Sequence, residues 1–93
     1  FEKLMIETDA PWCDIRPTHA GYEFVRTKWP TVKKPEKFEL GQCIKSRNEP
    51  CHIVQVLEIL AGLHDIDVGS EDFFTFANQI YDNTVSIFFP HIK

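Results

Sequence analysis

Asp9 has the clearest potential for chemistry in this sequence, because it closes a short apolar segment and precedes a long proline-containing stretch. Side-chain alternation predicts that Met5, Glu7 and Asp9 share one side of an extended segment. Carboxylates are hard ligands that suit Mg²⁺, Mn²⁺ or Zn²⁺, and catalytic residues of α/β barrels cluster where strands end. An aspartate that closes a strand is more often a turn or cap residue, so both interpretations stay open.

A second polar cluster, Arg47–Pro50, lies at the predicted start of a helix. The free backbone N–H groups of a helix N-terminus attract anions, and an arginine can bind a phosphate with two hydrogen bonds. Alternatively, Asn48 caps the helix and Arg47 pairs with a carboxylate such as Glu7. The residue types alone favour neither alternative.

The cysteines and histidines indicate no metal site of their own. Cys13, Cys43 and Cys51 make an odd number without a CxxC motif, which is typical of reduced intracellular thiols. The spacing of Cys43, Cys51 and His52 fits no zinc-finger pattern. The sequence has no HxH, HExxH, GxSxG, GxGxxG or phosphate-loop motif, so a self-contained catalytic constellation is absent.

The elements that would position these residues fall into three parts. Residues 1–9 are predicted to hold one buried strand, followed by Ala10-Pro11, because Pro11 keeps Ala10 extended and cannot continue a helix that starts before it. A lone strand leaves its backbone groups unpaired, so its neighbours are expected outside this chain. Apolar residues at helical spacing predict helices over residues 50–64 and 70–89, with Ser70 as the cap of the second.

Between the strand and the helices, residues 11–48 are predicted to form a long ordered loop with at most one short helix, Thr18 to about Val25. Thr18 is its expected N-cap. This loop carries eight basic and four acidic residues, a net charge of +4, whereas the remainder carries −8. A basic loop on an acidic body suits a polyanionic partner, but an ordinary solvated loop has the same composition.

Length and composition limit the protein class. The 93 residues have a net charge of −4 and are 43% apolar, which is typical of a globular protein and leaves no run long enough to span a membrane. The chain is too short for a complete barrel or doubly wound enzyme. It begins at Phe1 rather than at Met, which suggests a fragment of a longer protein.

Several stretches together resemble the C-terminal end of a TatD-type metal-dependent deoxyribonuclease. They are Leu4–Pro11 (LMIETDAP), Arg47–Pro50 (RNEP) and the end of the last helix, Tyr81–Phe88 (YDNTVSIF). Asp9–Cys13 (DAPWC) and Thr18–Gly21 (THAG) are similar to the eukaryotic branch of that family. The family usually has an Asn-Ala pair and a basic residue in the last helix, so Thr84 and Ser86 depart from its pattern.

The resemblance implies an α/β fold, the C-terminal portion of a (β/α)8 TIM barrel of amidohydrolase type, with one barrel strand, a long loop and two helices. Residues 1–9 would then hold the last barrel strand, residues 11–48 the loop on the active-site side, and residues 50–64 and 70–89 the outer helices. The histidines and glutamate that complete the family's metal site lie in earlier strands.

The implied activity is hydrolysis of DNA phosphodiester bonds with two divalent metal ions (Mg, Mn or Zn). Asp9 would ligate metal and act in catalysis, and Glu7 and Glu49 would support the site indirectly. Arg47, Asn48 and Trp12 would bind DNA, either single-stranded or at 3′ ends, and the loop lysines would help Arg47 to neutralise its phosphates. Either Trp12 or Trp29 would stack on a base, although packing within the loop is the alternative role for both. The rest of the barrel is the other expected partner, and a nuclear or cytoplasmic, membrane-free location is expected.

Two other functions remain open at this point. One is an amidohydrolase-like metal hydrolase that acts on a small molecule or a peptide. The other is a truncated, non-enzymatic interaction segment. On either barrel interpretation the 93-residue chain alone is expected to be inactive, because it carries only one of the implied metal ligands.

Overall fold

Two helices form the framework of the chain, whose structure, a computed structural model, describes residues 1–91. Helix α1 (Ile53–Leu63) and helix α2 (Glu71–Phe88) lie within the ranges that the apolar spacing predicts. The part of the chain that the structure describes has no helix long and apolar enough to cross a membrane.

Each helix begins as its local sequence dictates. A 3₁₀ turn at Pro50–His52 leads into α1, with proline at the first position, where the missing N–H removes no hydrogen bond. Glu49 rather than Asn48 caps this turn, through reciprocal hydrogen bonds with His52. Helix α2 is capped by Ser70, as predicted, and its Oγ accepts a hydrogen bond from the Phe73 N–H at 3.2 Å.

The core lies where α1, α2 and the N-terminal segment meet. Ala61, Phe76 and Ile80 are its buried centre. Partly buried apolar side chains from both helices, the N-terminal segment and the connection between the helices pack around it: Leu4, Ile6, Leu57, Leu60, Ile66 and Phe73. The aromatic stripe of α2 thus faces the core at Phe73 and Phe76, while Phe74 on the other face stays exposed.

Residues 1–9 form no hydrogen-bonded strand in the described chain, and the strand predicted there, whose neighbours were expected outside this chain, stays a prediction. The predicted alternation is nevertheless present, because Leu4, Ile6 and Thr8 are partly buried while Met5, Glu7 and Asp9 are exposed. Within residues 1–91 no strand lies beside this segment. Instead the side-chain amide of Asn83 donates hydrogen bonds of 2.8 Å to the carbonyl oxygens of Phe1 and Leu4.

The loop over residues 11–48 holds a small sheet that the sequence did not predict. Strands β1 (Thr31–Val32) and β2 (Cys43–Ile44) pair in parallel, with Thr31 opposite Cys43 and Val32 opposite Ile44. At two residues each, these strands are too short for side-chain alternation to reveal them.

The predicted helix from Thr18 to about Val25 is wrong. The structure has only a 3₁₀ turn at Tyr22–Phe24, which follows Gly21. This turn ends at Val25 because the next two backbone N–H groups are bound elsewhere. The backbone N–H groups of Arg26 and Thr27 each donate to Oε1 of the buried Glu58 at 3.0 Å. Glu58 lies more than 30 residues further along the sequence, so local propensity cannot predict these contacts.

Candidate functional site

Asp9 and Glu7 line one small pocket, which we call the acidic pocket. Its volume is about 90 Å³, and its wall comprises Glu7, Thr8, Asp9, Cys13, Ile15, Asn48, His52 and Val56. Both carboxylate-bearing residues come from the exposed side of the N-terminal segment, and Thr8 between them lines the same pocket.

The turn after Asp9 places a thiol against its carboxylate. The Trp12 N–H donates to the Asp9 carbonyl at 2.7 Å, and the Cys13 backbone adopts a left-handed conformation with φ 58°. The Cys13 Sγ then lies 3.5 Å from Oδ2 of Asp9 and donates to it. This hydrogen bond and the Asp9 charge raise the pKa of the Cys13 thiol, so Cys13 stays a neutral donor beside the carboxylate.

Asn48 fixes this turn from the other end of the loop. It is only 6% exposed, and its side-chain amide donates to the Trp12 carbonyl at 2.7 Å. Its backbone N–H donates to the Pro11 carbonyl at 3.1 Å. The backbone and the side chain of Asn48 thus bind two consecutive carbonyl groups, and this one buried residue holds the turn that follows Asp9.

His52 continues this network toward the interior of the loop. Its Nδ1 lies 3.2 Å from Oδ1 of Asn48 and 3.2 Å from the Glu49 N–H, and its Nε2 lies 3.5 Å from the Cys43 Sγ. The His52 ring also packs on the Trp29 ring, with centroids 4.7 Å apart. His52 is thus fixed by contacts on both ring nitrogens and on its face.

Cys43 is buried beneath this network. Burial raises the pKa of its thiol, and the nearby Cys51 and Glu49 raise it further. Cys43 therefore serves as a neutral partner of His52 and packs as a small apolar side chain.

A larger concavity, which we call the basic groove, adjoins the acidic pocket. Its volume is about 410 Å³. Four cationic side chains and one carboxylate line it, together with two aromatic rings: Arg16, Lys28, Lys45, Arg47, Asp14, Tyr22 and Trp29. Ile15 and His52 line both concavities, so the cationic surface and the carboxylates belong to adjoining concavities.

The structure brings some of the predicted site residues together and separates others. Asp9 and Glu7 share the acidic pocket, and Arg47 lines the basic groove, where no ion pair joins it to Glu7 in residues 1–91. Glu49 caps the turn before α1. Trp12 is 69% exposed and lines neither concavity.

The sequence alone does not predict the contacts of His52 and Cys13. His52 is close to Cys43 and Cys51 in the sequence, but their spacing matches no zinc-finger pattern and so indicates no shared role. Cys13 follows Asp9 by four residues in the DAPWC stretch. Trp29 is a candidate for stacking on a base from its residue type, but no local signal predicts its contact with His52, which spans 23 residues of sequence.

The described residues do not form a complete metal site. Within residues 1–91, no three His, Cys, Asp or Glu side chains gather in a way that could hold an ion. Asp9 and Glu7 are oxygen donors of the kind that Mg²⁺ and Mn²⁺ prefer, but two carboxylates on one segment supply too few ligands.

Comparison with known proteins finds relatives that match most of this chain. No family model matches the chain. It is 44% identical over 88 residues, 94% of its length, to the deoxyribonuclease Tat-D of Schizosaccharomyces pombe, of which it covers 27%. It is 32% identical over 84 residues to the deoxyribonuclease Tat-D of Saccharomyces cerevisiae, of which it covers 20%. The chain therefore spans about a quarter of the length of the relatives it matches.

Solved structures agree with the sequence comparison. A TatD family hydrolase from Entamoeba histolytica superposes on 96% of this chain with a TM-score of 0.81 and 35% identity, and 28% of that structure is covered. An uncharacterized amidohydrolase from Saccharomyces cerevisiae superposes on 94% of the chain with a TM-score of 0.74 and 30% identity, and 27% of it is covered.

Proposed function

This chain belongs to the TatD family of hydrolases, and we propose that it is part of a divalent-metal-dependent deoxyribonuclease that cleaves phosphodiester bonds. The observation that carries the proposal is the position of the Asp9 carboxylate in an acidic pocket directly beside the cationic groove. A phosphodiesterase needs both surfaces in contact, one to hold cations at the reacting phosphate and one to bind the flanking phosphates.

The proposed architecture is the C-terminal portion of a (β/α)8 barrel. Residues 1–9 would pair with a preceding strand in the longer protein, which would satisfy the backbone groups that lack a ladder here. Large apolar side chains that are exposed in this chain, such as Phe1, Phe74 and Phe88, support this proposal because a longer chain would cover them.

In this proposal Asp9 holds a divalent ion through its carboxylate, with Glu7 beside it in the same pocket. Bound ions would polarise the phosphate and lower the pKa of water. The other ligands would come from parts of the longer protein, so the 93-residue chain alone is proposed to be inactive. We propose that the complete active site of the longer protein holds two divalent ions of Mg, Mn or Zn.

The remaining residues of this chain position the carboxylate and the DNA. Asn48 holds the turn between Asp9 and Cys13, and Cys13 donates to the carboxylate. Arg47 and its cationic neighbours neutralise DNA phosphates, which makes binding salt-dependent and largely independent of base sequence. Trp12, which is exposed in the turn after Asp9, offers a further surface for DNA.

The test is an assay of the full-length protein on a labelled single-stranded oligonucleotide, with Mg²⁺ or Mn²⁺ and with a chelator. The proposal expects cleavage that the chelator abolishes, and no cleavage by the 93-residue chain at any metal concentration. The similarity to an amidohydrolase structure supports an alternative, hydrolysis of small molecules or peptides. Cleavage of small amides or esters without cleavage of DNA would favour that alternative.

A further inference from the structure

The basic groove has the dimensions and surroundings of a binding site for a single nucleotide unit. Its volume of about 410 Å³ lies in the range of small-molecule sites and is far too small for a duplex. It shares Ile15 and His52 with the acidic pocket that Asp9 lines, so the two concavities adjoin.

The charge of the groove suits a phosphate. Arg16 pairs with Asp14 at 3.3 Å, which leaves Lys28, Lys45 and Arg47 as cations without a carboxylate partner among the groove residues. Lys45 and Arg47 flank the tight turn after β2, in which the Arg47 N–H donates to the Ile44 carbonyl at 3.1 Å. Two cations on one tight turn form a compact anion-binding surface.

The aromatic side of the groove suits a base. Trp29 lines it and is held against His52, whose own position is fixed by Asn48 and Cys43. Tyr22 lines it too, with the Lys28 Nζ 4.8 Å from the centre of its ring. Aromatic rings that are already immobilised lose little conformational entropy when a base stacks on them.

We propose that the basic groove binds one unpaired nucleotide adjacent to the phosphodiester that is cleaved, with its base on the Trp29 side and its phosphate at Lys45 and Arg47. This rests on the proposed function, which it deepens. A base can reach Trp29 only after it leaves the duplex stack, so the groove selects single strands or frayed ends. Trp29, rather than the more exposed Trp12, is the stacking residue.

The test measures binding separately from hydrolysis. The full-length protein is titrated in chelator with a fluorescent single-stranded oligonucleotide, and anisotropy gives the dissociation constant at several salt concentrations. Trp29→Leu is expected to weaken binding about ten-fold or more, the effect of losing one stacked base. Lys45→Gln is expected to lower the salt dependence by about 0.7 in the log–log slope, as for one phosphate contact on a single strand.

Lys33→Gln is the matched control, because Lys33 is an exposed lysine of the same loop that does not line the groove. Since Lys45 is also exposed, Lys45→Gln keeps the proposal testable even if Trp29→Leu disturbs the packing on His52. Unchanged binding in Lys45→Gln, an equal loss in Lys33→Gln, or equal affinity for a blunt duplex would overturn the groove assignment.

The two proposals fail in different ways. Tight binding that depends on Trp29 and Lys45, without hydrolysis in metal, would support the groove and overturn the nuclease. Metal-dependent hydrolysis with binding that is indifferent to both substitutions would support the nuclease and overturn the groove.

Discussion

The side-chain amide of Asn48 donates a 2.7 Å hydrogen bond to the carbonyl oxygen of Trp12, across 36 residues of sequence. This contact ties the start of the first helix to the turn that follows Asp9. The sequence suggested that Asn48 caps the helix, but the cap is Glu49. The hydrogen bond to Trp12 instead gives Asn48 the role of positioning the turn.

Replacing Asn48 with alanine is expected to lower both stability and activity of the full-length protein. The variant leaves the Trp12 carbonyl without its donor, which costs about 1–3 kcal/mol of unfolding free energy. The loosened turn no longer fixes Asp9, and the expected fall in kcat/KM for DNA is about 10- to 100-fold. Thermal unfolding and a cleavage assay check the two effects.

Asn48→Asp separates positioning from direct DNA contact. Aspartate has nearly the same shape as asparagine but cannot donate to Trp12, so stability is expected to fall as it does in the alanine variant. Wild-type stability with strongly reduced DNA affinity in both variants would contradict the positioning role and assign Asn48 to the DNA surface.

Gly62→Ala is expected to destabilise the protein although alanine is the better helix former. A Cβ at Gly62 would lie 2.1 Å from Cδ1 and 2.8 Å from Cβ of Phe24, and the latter atom cannot move without its backbone. The expected cost is about 1–3 kcal/mol from overpacking, which exceeds the gain of about 1 kcal/mol in helix propensity.

Gly69→Ala is the control for that experiment, because its Cβ would meet nothing closer than the Asp67 Oδ2 at 3.9 Å. Its melting temperature is expected to stay within a degree or two of the wild type, as for surface changes of about 0.5 kcal/mol or less. If the melting temperature of Gly62→Ala is no lower than that of Gly69→Ala, Phe24 does not pack closely on Gly62 of α1.

Glu58 anchors the loop from inside helix α1. It is 2% exposed, and its carboxylate accepts hydrogen bonds from the Arg26 and Thr27 N–H groups and from the Thr27 hydroxyl. Glu58→Gln exchanges one acceptor oxygen for an NH₂ group that faces a donor. Chemical denaturation is expected to show a loss of about 1–3 kcal/mol, whereas Glu39→Gln at an exposed position has no measurable effect.

The pH dependence of thiol modification distinguishes the buried cysteine from the exposed ones. Burial raises the pKa of Cys43, so at pH 8 it holds less thiolate than an ordinary cysteine and reacts more slowly. Its alkylation rate in the folded protein is expected to keep rising with pH above the ordinary thiol range. Peptide mapping after timed alkylation measures this rate beside that of the exposed Cys51. Equal rates for the two at pH 8 would contradict the burial of Cys43.

The sequence predicted those features that local spacing encodes. The helices at residues 50–64 and 70–89 and the cap at Ser70 follow from apolar periodicity and side-chain chemistry, and the alternation along residues 4–9 follows from the geometry of extended backbone. The strand predicted at residues 1–9 stays a prediction, because a hydrogen-bonded strand depends on a neighbour, and the neighbour was expected outside this chain.

The long loop was the part that local reasoning could not resolve. Its short turn at Tyr22–Phe24 ends where it does because of Glu58, and its two-residue strands pair across 12 positions. The same is true of the candidate site. Asp9 and Arg47 were visible as residue types, whereas the groove on which Trp29 and His52 lie is created by contacts between distant parts of the loop.

The most direct test of the central claim is a crystal structure of the full-length protein with Mn²⁺, phased at the manganese edge. The proposed function predicts an anomalous peak at about 2.0–2.3 Å from a carboxylate oxygen of Asp9, and loss of that peak together with DNA cleavage in Asp9→Asn. A fully occupied ion site that does not include Asp9, or an Asp9 carboxylate turned to bulk solvent in the active protein, would contradict it.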